Sequence, residues 1–189
     1  MKKTLDLSAY VSKAMQHKDV HGFTIHVHHQ GKDHSESQGN LKGGKRFFAA
    51  SVTKLLVTAL MLKLMDEGKT SLDDHVTGII GDILPEGFHT YKGIDYTKAL
   101  RVRHLMSNTS GLPDYFDKPV MARLLDSQDE TWGLHPVIDY VKDKPAHFPP
   151  GHKCKAKYCD TNYQLLGAII ERLSGKTFSE KKKPSATAF

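Results

Sequence analysis

Ser51 and Lys54 stand three residues apart at the head of the most apolar stretch of this 189-residue chain, Leu55 to Met65. A serine hydroxyl is a poor nucleophile at neutral pH and needs a proton acceptor within hydrogen-bond reach. On a helix, that spacing puts both side chains on one face. A serine in the first turn also presents its backbone N–H to a developing oxyanion. Acyl transfer through a serine ester is the chemistry such a pair could carry. Spacing alone decides little, because 12 serines and 22 lysines give on the order of one such pair by chance at ordinary usage, and Ser179 with Lys182 is a second one. The second lies in a charged tail with no apolar helix behind it, so context selects Ser51 and Lys54. The plain alternative is a serine N-cap followed by a solvated lysine.

A lysine with an ordinary pKa near 10.4 is mostly protonated at pH 7, and it accepts a proton only if burial or a neighbouring cation lowers that value. A third group is therefore wanted. Tyr158 precedes a helical pattern that begins at Asn162, and a phenol beside an ammonium can share its proton and act as base or relay. A core or loop tyrosine is its structural alternative.

Phe48-Ala-Ala-Ser51-Val-Thr-Lys54, His104-Leu-Met-Ser-Asn-Thr-Ser-Gly111-Leu-Pro-Asp-Tyr115, Pro150-Gly151 and Tyr158-Cys-Asp-Thr-Asn-Tyr-Gln-Leu-Leu-Gly167 follow one another in that order. Together they resemble the successive signatures of the β-lactamase-related serine hydrolases, the group of class C β-lactamases, D-alanyl-D-alanine carboxypeptidases and related esterases, whose cousins share the Ser-x-x-Lys element. The resemblance runs from about residue 20 to about residue 179. It implies that Ser51 is acylated and that Lys54 and Tyr158 shuttle the proton. Asp160 would take the place where many members carry asparagine to bind the substrate amide. The implied substrates are β-lactams, D-alanyl peptides or carbonyl esters and amides. Two features depart from the pattern. The Tyr-Cys-Asp element replaces the commoner Tyr-Ser-Asn, and an ionised aspartate accepts hydrogen bonds but cannot donate them. The Lys-Thr-Gly or His-x-Gly element that members carry on a later strand has no counterpart, since Gly175-Lys176-Thr177 closes a helical pattern.

The elements that must position these residues can be read from periodicity. Asp6 to His17 has the helical spacing of Leu7, Tyr10, Val11 and Met15, and residues 22 to 40 read as a hairpin turning at Gln30 to Asp33. Ser51 to Glu67 is apolar on more than one face, which predicts a buried helix ending at Gly68. Shorter helical patterns cover Leu72 to Ile83, Ala99 to Ser107, Met121 to Ser127, Val137 to Lys142 and Asn162 to Leu173, the last closed by Gly175. A long loop, Lys144 to Tyr158, separates the final two. The fold expected is α/β and serine β-lactamase/penicillin-binding-protein-like: a helical lobe over about 70 to 160, and an antiparallel sheet lobe holding the hairpin and the Ser51 and Asn162 helices. Its sheet would be incomplete in this chain. Residues 1–179 form the domain, and residues 180–189 read as a disordered lysine-rich tail.

Composition removes other classes. The net charge is +6, but Lys181, Lys182 and Lys183 supply half of it, too little for a nucleic-acid surface. No signal peptide is visible, and the apolar helix is short for a membrane span and carries Lys63; the expected location is cytoplasmic. Two cysteines make neither a disulfide framework nor a zinc pattern. His26, His28, His29 and His34 raise a third reading, a histidine-rich metal-binding module, for which no further ligands stand at matching spacing. No metal or organic cofactor is expected, the partner being a small-molecule or peptide acyl donor, with oligomeric state open. The rival from another class is a truncated, catalytically inactive family member.

Overall fold

The computed structural model describes residues 5–43, 45, 50–126 and 133–177, so the expected tail at 180–189 lies outside the described residues. Two compact units divide the chain, Met1–Ala50 and Ser51–Phe189.

In the first unit, α1 (Ser8–Met15) packs on a two-stranded antiparallel hairpin, β1 (Gly22–His29) and β2 (Lys32–Gly39). The helix buries Val11, with Leu7 just ahead of it, and leaves Tyr10 in solvent. Register runs from Gly22 opposite Gly39 to His29 opposite Lys32. Gln30 and Gly31 form the two-residue turn with φ of 51° and 72°, the left-handed pair that a tight hairpin of right-twisted strands requires. Alternation then places His26 and His28 on one face, where His26 meets Ser35 at 2.6 Å and His28 meets Asp33 at 2.8 Å.

The second unit is helical. It contains α2 (Thr53–Asp66), α3 (Val76–Ile80), the short antiparallel pair β3 (Thr90–Tyr91) and β4 (Ile94–Asp95), α4 (Val102–Met106), α5 (Lys118–Asp126), α6 (Leu134–Val141) and α7 (Asp160–Ser174). α7 is the hub, packing against α2, α3, α4 and α6. It does so because Leu165, Leu166, Ile169 and Ile170, a 3.6-residue stripe, are fully buried. Gly175 closes the helix in the left-handed conformation with φ 64°, the usual glycine stop.

Three sequence expectations are corrected. The Ser51 and Asn162 helices group with the helical unit and not with the hairpin, because their apolar stripes pack on each other and on α3, α4 and α6. α2 is not buried all round: Val57, Met61 and Leu64 face the core, while Leu55 is 73% exposed and Leu56 and Leu62 about half. The helical pattern read over Leu72 to Ile83 shrinks to α3 followed by a 3-10 turn at Gly81–Ile83, and the β3–β4 pair, with two residues per strand, is too short to show a period in the sequence.

Candidate active site

The helix that presents Ser51 begins abruptly. Ala50 has φ 46°, a left-handed conformation that costs a non-glycine residue on the order of 1 kcal/mol. The chain then makes one 3-10 turn, Ala50–Val52, before α2 starts at Thr53. Ser51 thus lies just ahead of the α2 N-terminus and Lys54 in its first turn, with Lys54 Nζ 3.4 Å from Ser51 Oγ. Thr58 ties the same turn by donating to the Lys54 carbonyl at 2.9 Å.

The opposite side comes from the entry to α7. Ser51 Oγ and Tyr158 Oη share a hydrogen bond of 3.0 Å, and Asp160 accepts a hydrogen bond from Lys54 Nζ. Lys54 Nζ also lies 5.0 Å from the Tyr158 ring centroid and 5.3 Å from that of Tyr163, distances at which a cation is attracted to a ring face. All four side chains singled out in the sequence therefore meet at one place. Ser51, Lys54, Leu55, Thr58, Tyr158 and Tyr163 line an open groove there.

The electrostatics differ from the sequence expectation in one respect. Burial alone pushes the Lys54 ammonium down, but its hydrogen bonds to Asp160 and Tyr158, with their charges, outweigh this and hold it above the usual lysine range. The lowering that would make Lys54 a free amine at pH 7 does not occur, because its partner is a carboxylate and not a second cation. Cys159, the other departure in the same element, is buried with its thiol pushed up to about 11, chiefly by burial, so it stays protonated and inert at neutral pH.

What holds Tyr158 and Asp160 in place is the block from His104 to Tyr115, which the sequence marked by resemblance without assigning it work. Asn108 takes φ 56°, accepts Lys157 N–H on its carbonyl at 2.9 Å, and accepts Cys159 N–H and Asn162 Nδ2–H on its side-chain oxygen at 3.3 and 3.0 Å. Asp114 accepts the backbone N–H of Asp160 at 3.0 Å. Burial raises the Asp114 carboxyl above the ordinary carboxylate range, with the Asp160 charge adding to it. Ser110 donates to Asn162 Oδ1 at 2.7 Å, and Thr161 donates to the Pro113 carbonyl at 2.9 Å. The loop and the helix entry are thus one hydrogen-bonded body. Polar residue types in both segments were the available signal; their pairing across about fifty residues was not.

Two glycines in this region are required by contact. A Cβ on Gly111, φ 77°, would run into the Phe148 carbonyl, and one on Gly151, φ 68°, would lie 2.8 Å from His104 Nε2. Elsewhere, no three His, Cys, Asp or Glu side chains among the described residues gather as a metal-binding group, and no helix among them is long and apolar enough to cross a membrane.

The Beta-lactamase family model matches residues 7–181. The chain belongs to the Beta-lactamase family. Among its relatives, an Escherichia coli (strain K12) protein named "Putative D-alanyl-D-alanine carboxypeptidase" is 32% identical over 136 residues, 70% of this chain and 29% of that protein. Penicillin-binding protein 4 of Amycolatopsis lactamdurans is 27% identical over 162 residues, 86% of this chain and 37% of its own length. The fold is similar to that of a D-stereospecific amidohydrolase from a Streptomyces species, with a TM-score of 0.76 at 23% identity over 90% of this chain and 49% of the other. The chain therefore spans about a third of these curated relatives and half of that solved structure. The fold is that of the serine β-lactamases and penicillin-binding proteins, with only two small antiparallel sheets among the described residues.

Proposed function

We propose that this chain carries the nucleophile of a serine acyl-hydrolase acting on β-lactam, D-alanyl peptide, amide or ester bonds. The observation that supports it best is the convergence of Lys54 Nζ and Tyr158 Oη on Ser51 Oγ, at 3.4 and 3.0 Å. Ser51 Oγ attacks the carbonyl carbon of the acyl donor while its proton passes to the Lys54–Tyr158 pair. To accept it, the pair must enter the step one proton short, as ammonium and phenolate or as amine and phenol. The proton then leaves with the amine or alcohol, and water repeats the path to release the acyl group from Ser51. The open groove beside Leu55 and Tyr163 is where the acyl donor would lie.

The reading is tested by intact-protein mass spectrometry after exposure to a fluorophosphonate and to a penicillin, with Ser51→Ala alongside. A single adduct on the parent and none on the variant is expected. Soluble, folded parent protein that gains no mass would leave a catalytically inactive family member as the better description. That second reading is favoured by one observation, the exposed apolar face of Leu55, Leu56 and Leu62 on the very helix that follows Ser51.

A further inference from the structure

Asp160 is the first residue of α7, and its carboxylate is directed at the ammonium beside Ser51 and not into open groove. Lys54 and Asp160 side chains are only 16% and 22% exposed, so solvent screens their attraction less than that of a surface pair. The charge that Asp160 places there bears on Lys54 and, through it, on Tyr158 Oη, which shares a hydrogen bond with Ser51 Oγ. The surrounding groups do not cancel it. From the α7 side Lys54 faces Tyr163 and Asp160, from the loop before α7 it faces Tyr158, and from the loop after α4 Asp114 and Tyr115 interact electrostatically with Asp160 and Lys54. Lys54 is the one cation among these groups.

We infer that Asp160 is a positioning residue that keeps the Lys54–Tyr158 pair loaded with its full complement of protons near neutrality, and so sets the pH at which Ser51 is activated. A negative charge in contact with the Lys54 ammonium disfavours removal of its proton, and with it the loss of a proton from the pair. The pair must lose one proton before it can take the proton of Ser51. Acylation is therefore throttled at neutral pH and released as pH rises. The net upward direction of the Lys54 ammonium agrees with this arrangement. Asp160 acts through Lys54 and needs no contact with the acyl donor. The inference rests on the reading of Ser51 as nucleophile, and one of its two readouts is independent of that reading.

The first readout is the rate of fluorophosphonate labelling between pH 6 and 10.5 for the parent and for Asp160→Asn, Asp160→Ser and Asp160→Glu. Both uncharged variants are expected to carry the alkaline rise to lower pH by a unit or more, which is at least tenfold faster labelling on the acid side of both curves, while the glutamate variant stays with the parent. The second is the titration of Lys54 by NMR of lysine-labelled protein, assigned with Lys54→Arg, in which Lys54 should lose its proton at lower pH in both uncharged variants. Unchanged titration and an unmoved labelling profile in folded Asp160→Asn and Asp160→Ser would overturn the inference. Lowered Lys54 titration without labelling of any protein would keep the role of Asp160 at Lys54 and sink the reading of Ser51 as nucleophile.

Discussion

Asn108 braces the α7 side of the candidate site through a single side-chain oxygen, which accepts from Cys159 N–H and from Asn162. It also occupies the left-handed conformation that asparagine tolerates better than other residues with a Cβ. Asn108→Ala removes both acceptor bonds and leaves two donors around a partly buried position, a change expected to cost roughly 1–3 kcal/mol. The urea midpoint of the variant measures it. A loss below about 0.5 kcal/mol would show that water replaces Asn108 there without penalty. Cys159 beside it is a core residue and not a second nucleophile, because burial keeps its thiol protonated.

At the scale of elements, α7 and α2 divide the work. α7 supplies the packing: Ile169 and Leu165 are fully buried at the meeting point of the helices, and Ile169→Ala should lower stability by roughly 2–5 kcal/mol. Leu55, on the outer face of α2, is 73% exposed, and Leu55→Ala should change stability by about 0.5 kcal/mol or less. Chemical denaturation of the two variants side by side checks the pair, and a large loss for Leu55→Ala would mean that this face is covered in solution. α2 reads as a core helix because its composition is apolar all round. Which side is covered depends on neighbours distant in sequence, and the helical unit covers only the Val57, Met61, Leu64 side.

For the whole molecule, stability should fall as pH drops. His89 is fully buried, donates from Nε2 to the Ser110 carbonyl, and is held below the usual histidine range chiefly by burial. His104 is lowered too, first by burial and then by Arg101 and Arg103. With folded values depressed, both are neutral in the native state and take up protons more readily when unfolded. Their contribution is complete above the unfolded value near 6.5 and is lost as pH falls through it towards the folded values. Urea midpoints at pH 7.5 and 5.0 should therefore differ, the lower pH being less stable, at a pH still above the ordinary aspartate range. Equal midpoints would mean that neither imidazole is kept neutral by the fold.

The sequence by itself determined the helices, the first hairpin, the family and the identity of Ser51, Lys54, Tyr158 and Asp160 as site candidates. These follow from short-range signals: the 3.6-residue apolar stripe of α7, the alternation of β1 and β2, glycine stops, and ordered motifs whose residue types can do acyl chemistry. Tertiary structure alone decided how those residues are partnered. Lys54 and Asp160 lie 106 residues apart, and nothing in local pattern says that the carboxylate meets the ammonium and reverses the lowering expected of a buried lysine. The bracing of Tyr158 by Asn108 and Asp114, and the choice of which face of α2 is buried, are long-range outcomes of the same kind. Periodicity reports which residues can be covered, whereas charge state and orientation depend on what the fold brings within a few ångströms.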